Sequence, residues 1–315
     1  IASTSTLAGG YASYDGTSFA SPIVAGAAAL VIATHPSFTA ADVAKRLVRS
    51  AAPLAGTNGR LDVRAAVQAA PGGFVLLASD GGAFTFGDAQ YRGSAGGIKL
   101  NQPVVAAATS KTTGYWEAAA DGGVFAYGVP FLGSMGGTRL NQPIVGMAAT
   151  PTGSGYWLVA GDGGIFTFGD AVFAGSTGAI RLNQPIVGMA STPTGKGYWL
   201  VARDGGIFAF GDAVFAGSTG AIRLASPVVG MAAAGPASYW LTAADGGVFS
   251  FGGAPFFGSG AGSAGPGVVG IAAAPNAAGY WLARSDGVPL VYGNAVDDGR
   301  TGPINAPIVA IGGTT

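Results

Sequence analysis

An aromatic pair recurs through most of this chain at almost constant spacing. Tyr115-Trp116, Tyr156-Trp157, Tyr198-Trp199, Tyr239-Trp240 and Tyr280-Trp281 follow at steps of 41, 42, 41 and 41 residues, and Phe74-Val75 stands another 41 before the first. A fixed period of this length marks copies of one supersecondary unit, each too small to bury its own apolar face. Every copy reads like residues 156–191, in which short apolar stretches are separated by Gly, Asp and Pro turns. Four strands fit the period: YWLVA, GIFTF, AVFAGS and PIVGMAS. An Asp-Gly step joins the first two (Asp80, Asp121, Asp162, Asp204, Asp245, Asp286) and predicts a tight two-residue hairpin, because Gly accepts the positive φ such turns demand.

The phase of the repeat predicts closure. The first copy starts on a YWL-type strand at Phe74, whereas the chain finishes on Pro307 to Gly312, a PIVGMA-type strand with no successor. Counting that strand with those starting at residues 103, 143, 185, 227 and 267 gives six for six, so the last one is expected beside Phe74–Ala78. Radial four-stranded sheets that leave only short edges make a β-propeller. The expected fold class is therefore mainly β: a six-bladed β-propeller over residues 71–315, closed by its C-terminal strand. The Gly- and Ala-rich PIVGMA strands suit the crowded axis, and the YW and FTF strands the space between blades.

Composition narrows the function classes. Charged residues are only 10% of the chain, 15 Lys+Arg against 15 Asp+Glu, which leaves no basic stripe for phosphates or anionic lipid, and no nucleic-acid partner is expected. With no cysteine there is neither a disulfide nor a thiolate metal site. The most apolar run, Phe19–Ala33, is too short for a bilayer span of about 20 residues and reads as a buried helix. Neither a metal nor a cofactor is expected. The turn aspartates fall one per copy, whereas calcium takes several convergent oxygens. The five tryptophans share one register position, which favours packing between copies over a ligand platform.

One chemical motif lies outside the repeat. Residues 14–22 read YDGTSFASP and run into the apolar IVAGAAALVIA. Gly16, Thr17, Ser18, Ala20, Ser21 and Pro22 match the Gly-Thr-Ser-x-Ala-Ser-Pro motif of subtilases, the subtilisin-like serine proteases, and the segment resembles that family. The resemblance implies that Ser18 is the nucleophile, opening a helix whose dipole favours an oxyanion. It extends through Thr39–Asp42, a capping-box-like helix start, and Gly59–Asp62 ahead of a last helix near Ala65–Ala69. Residues 1–70 are thus expected to be a C-terminal fragment of a subtilisin-like catalytic domain, fused to a bacterial secreted repeat domain.

In that family the Asp, the His and an oxyanion-hole Asn precede the serine. None does so here, and the single histidine, His35, falls after it. The chain alone is expected to be inactive, because a serine without a base is a poor nucleophile. Two readings stand: part of a secreted endopeptidase that acts on polypeptides once an N-terminal segment supplies the missing groups, or a non-catalytic extracellular binding module with an inert remnant. A signal peptide is expected upstream, and a cell-surface, protein or glycan ligand for the propeller. Two departures from the repeat stand out. Glu117 replaces the leucine of Leu158, Leu200, Leu241 and Leu282 and is expected at a solvated blade edge, the alternative being that it marks a site, and Asp297, Asp298 and Arg300 are expected in a solvated loop.

Overall fold

The computed structural model describes residues 2–4, 11–13, 17–34, 40–49, 61, 63, 72–110, 114–263 and 265–314. Contacts divide the chain into two units, Ile1–Ala70 and Pro71–Thr315. In the first unit β1 (Ala2–Thr4) pairs antiparallel with β2 (Tyr11–Ser13). α1 (Thr17–Thr34) and α2 (Ala40–Arg49) follow. α2 is strongly amphipathic and turns Val43 and Leu47 onto Ala27 and Val31 of α1. The expectation of a buried helix over Phe19–Ala33 holds on that stripe alone: Ile23, Val24, Leu30 and Ile32 are 44–51% exposed. A helix apolar all round needs cover on every side, and among the described residues of this unit α2 covers one. No described helix is long and apolar enough to cross a membrane.

The second unit is mainly β. Its strands in chain order are β3 (Gly73–Ala78), β4 (Ala83–Gly87), β5 (Val104–Thr109), β6 (Tyr115–Ala119), β7 (Val124–Tyr127), β8 (Ile144–Ala149), β9 (Gly155–Ala160) and β10 (Ile165–Gly169). They continue as β11 (Ile186–Ser191), β12 (Tyr198–Ala202), β13 (Ile207–Phe210), β14 (Val228–Gly235), β15 (Ser238–Ala243), β16 (Val248–Phe251), β17 (Val268–Ala273), β18 (Gly279–Arg284), β19 (Leu290–Gly293) and β20 (Ile308–Thr314). These form six three-stranded antiparallel sheets, five of consecutive strands and one ordered β20-β3-β4. The last strand thus pairs with the first of its unit, Ile308 opposite Ala78 and Thr314 opposite Gly73.

Adjacent sheets are tied by one recurring backbone bond. The amide opening each Gly/Ala-rich strand donates to the hairpin of the preceding sheet: Val104 to Ser79, Ile144 to Ala120, Ile186 to Gly161, Val228 to Arg203, Val268 to Ala244, and Ile308 to Ser285. The Gly/Ala-rich strands touch in the order β5, β8, β11, β14, β17, β20, and β20 touches β5. Their small residues are required there. A Cβ on Gly146 would lie 3.3 Å from Gly188 Cα, and one on Gly230 3.3 Å from Gly270 Cα.

Three strands form per sheet where four are expected. The AVFAGS-type segment adds no ladder because side chains take its backbone groups. Trp157 Nε1 donates to Val172 O at 2.9 Å, and the Tyr198 hydroxyl of the next repeat donates to Gly175 O at 2.5 Å and accepts from Ala174 N at 3.2 Å. Trp and Tyr of successive repeats therefore clamp this segment in repeats two to five, and all five tryptophans are at most 1% exposed. Gly175 has φ +135°, and a Cβ there would fall 2.4 Å from Phe210 Cδ1. Gly175→Ala is expected to cost about 3 kcal/mol and to lower the thermal midpoint by roughly 5–10 °C in calorimetry. An unchanged midpoint would mean the clamped segment lies outside the cooperative unit.

The hairpins also differ from the two-residue form. The Gly163 amide bonds Ala160 O, and Ala160 N bonds Gly164 O, giving a three-residue loop closed by Gly163 at φ +78°. The glycine takes the left-handed position after the turn rather than a place inside a two-residue one.

Candidate functional site

Ser18 lies in the first turn of α1, directly after Thr17, with Ala20, Ser21 and Pro22 in the same helix. Pro22 has no N–H to give the carbonyl four residues back, that of Ser18. Gly16, His35 and the Gly59–Arg60 and Asp62 positions fall outside the described residues, as does the last helix expected near Ala65–Ala69. Asp42 is in α2.

In the second unit the aspartates of five hairpins serve the turns. Oδ1 of Asp80, Asp121, Asp162, Asp204 and Asp245 each accepts the amide of the glycine two residues on, at 2.9–3.0 Å. Among the described residues no three His, Asp or Glu side chains converge.

Glu117 departs from its expected place at a solvated edge. It is 0% exposed, because its position on β6 points between two sheets as the leucines of the other copies do. Neither carboxyl oxygen has a partner of good geometry among the described residues. Burial pushes its pKa up to about 8; the nearby Ala95 amide pulls the other way, and Asp80 adds to the rise. The same pocket of low polarity lifts Tyr115 and Tyr127 to about 12, again chiefly by burial. Asp297 and Arg300 are exposed, as expected for that loop, whereas Asp298 is half-buried with its Oδ2 out of solvent.

A cavity of about 480 Å³ opens where the Gly/Ala-rich strands end, lined by residues such as Ala108, Thr109, Thr150, Thr192 and Asn276. No ionisable side chain lines it. Beside it, Thr150 and Thr152 donate to Asp170, and Thr192 and Thr194 to Asp212, pinning the loops of that end. Those hydroxyls, that of Thr194 foremost, hold the Asp212 carboxyl below its ordinary value. Among its described residues the second unit thus offers no assembled acid–base or nucleophile pair, and the serine motif singled out in the sequence is at the head of α1.

Residues 1–74 match the Subtilase family. Within them 69 residues are 48% identical to Subtilisin of Bacillus pumilus, covering 20% of this chain and 25% of that protein. The same identity and length are found against Subtilisin E of Bacillus subtilis (strain 168) and Subtilisin NAT of Bacillus subtilis subsp. natto, at 18% of each protein. The chain therefore spans a quarter or less of the relatives it matches. Its N-terminal segment is of subtilisin-like protease origin.

Sequence reasoning placed the serine motif but missed the burial of Glu117. The signal was present: a position that is leucine in four other copies is a core position whichever residue occupies it.

Proposed function

We propose that this chain is the C-terminal part of an extracellular subtilisin-like serine endopeptidase, with Ser18 as the acyl-forming nucleophile and the second unit as an accessory binding domain. The observation that carries the reading is the Gly-Thr-Ser-x-Ala-Ser-Pro motif at the head of α1, inside a segment 48% identical to subtilisins. Asp, His and an oxyanion-hole Asn come from a segment N-terminal to Ile1 in the complete protease. The surplus apolar surface of α1 fits that assembly, since the missing part of such a domain would cover it.

Six sheets, the β20–β3 pairing and the round of backbone bonds from each sheet to its neighbour support a six-bladed propeller over residues 71–315. The second reading, a non-catalytic binding module with an inert remnant, draws on the lone His35 falling after Ser18. A fluorophosphonate probe separates the two. The complete protease is expected to be labelled at Ser18, with labelling abolished in Ser18→Ala, while the chain from Ile1 onward stays unlabelled. A complete protease that takes no label would leave the binding module as the function.

A further inference from the structure

The joint between the first two copies departs from the repeat on both of its sides. In copies three, four and six a threonine lies over the hairpin of its own copy and claims two successive carbonyls. The Thr177 amide donates to Gly163 O at 3.3 Å and its hydroxyl to Asp162 O at 3.1 Å. Thr219 repeats both bonds on Gly205 and Asp204, and Thr301 on Gly287 and Asp286. Met135 and Gly260 keep the amide bond, to Gly122 and Gly246. Copy one has Ala95 at this position, 0% exposed, and its amide makes no such bond to Gly81. Among the described residues neither Asp80 O nor Gly81 O accepts a hydrogen bond.

The other side of the joint brings in Glu117. Both oxygens of this buried carboxyl lack a partner of good geometry, and it stands beside the Ala95 amide and Asp80. Ala95 in turn packs on the hairpin: a Cβ built on Gly81 would fall 2.6 Å from Ala95 Cβ. Four oxygens without a donor therefore gather around Ala95, namely Glu117 Oε1 and Oε2 and the carbonyls of Asp80 and Gly81. The hydroxyl and methyl that threonine has and alanine lacks leave room there for one bare ion. Buried oxygens of this kind are normally claimed. A proton on Glu117 supplies a single O–H and serves one carbonyl. Asp80, the charged side chain that acts on Glu117, carries the same sign and cannot balance it.

We propose that these four oxygens form a calcium site joining the first two copies, with the Asp80 carboxylate as the second negative charge. Calcium takes about six to eight oxygen ligands and accepts irregular cages of carboxylate and carbonyl. Glu117 comes from β6 of copy two and the carbonyls from the hairpin of copy one, so the ion cross-links two sheets. Water passing half-buried Asp80 completes the shell. Magnesium fits less well, because it demands a near-ideal octahedron and sheds its water reluctantly. The repeat unit holds one such site, since Leu76, Leu158, Leu200, Leu241 and Leu282 occupy the position of Glu117 in the other copies.

The test is calorimetry of the full chain, stripped with EGTA and held at about pH 8.5, to which calcium, magnesium or sodium chloride is added at matched ionic strength. Millimolar calcium is expected to raise the midpoint of the repeat unit by roughly 5 °C, and magnesium by clearly less. Glu117→Leu, which installs the residue of the other copies, and Glu117→Gln, which removes the charge alone, are each expected to lose the calcium shift. Asp204→Asn, at the equivalent hairpin of another copy, keeps it. A shift that survives in Glu117→Leu, an equal shift from sodium chloride, or loss of the shift in Asp204→Asn overturns the proposal. So does a wild-type chain indifferent to calcium, which would leave a proton alone neutralising Glu117.

Discussion

Glu117→Leu is expected to raise the thermal midpoint of the repeat unit by roughly 10 °C at pH 8–9 and by far less at pH 4. Burial holds the folded carboxyl at a pKa of about 8 against the ordinary 4.5 of a glutamate. Between those values the native state keeps a proton that the unfolded chain has released. Stability is therefore intact below about pH 4.5, falls as pH rises toward 8, and stays low beyond. A displacement of this size corresponds to about 5 kcal/mol, a large share of what holds a domain folded. Leucine fits, because Leu158 and Leu200 fill the equivalent position at 0% exposure. Glu117→Gln separates charge from polarity. It is expected to flatten the pH profile while leaving an unpaired polar group, and so to gain less than leucine does. Midpoints that run parallel with pH for wild type and both variants would refute the assignment.

Deleting Ile308–Thr314 is expected to abolish the cooperative transition of the whole repeat unit rather than to loosen one sheet. β20 covers β3, whose Phe74, Val75, Leu76 and Leu77 are at most 1% exposed. Uncovering four such side chains costs on the order of 1.5–3 kcal/mol each, which together reaches the net stability of an ordinary domain. The deletion also removes the Ile308–Ser285 bond and the contact of β20 with β5, so both neighbouring sheets lose a face. Adding a peptide of residues 304–315 in trans is expected to restore the transition. A truncated chain with a wild-type melting curve would show that the sheets stand independently.

Much of the fold was legible because its determinants are periodic. The Tyr-Trp spacing, the Asp-Gly turns and the phase shift at the end led to six units and to the pairing of β20 with β3. What periodicity could not carry was the division of labour among polar groups. The AVFAGS-type segment has the composition of a strand, but a tryptophan indole and the next repeat's tyrosine hydroxyl claim the backbone groups a ladder would need. The Asp-Gly step announced a hairpin without fixing which loop residue takes positive φ. The Gly16–Pro22 motif was legible because it is written in consecutive residues.

The β20–β3 pair brings the two ends of the repeat unit side by side, with Thr314 opposite Gly73 and the Thr314 hydroxyl on the Gly73 carbonyl at 3.1 Å. A tension applied between those ends would pull the pair apart like a zipper, one hydrogen bond after another, instead of shearing all of them together. The same joint lacks the tyrosine clamp found between other copies, since Phe74 has no hydroxyl and meets Trp281 through ring contact alone, at 5.2 Å. In a molecule anchored by one end and dragged by the other, this is where mechanical failure would begin. Load carried between neighbouring sheets would instead cross the backbone bonds that join sheet to sheet.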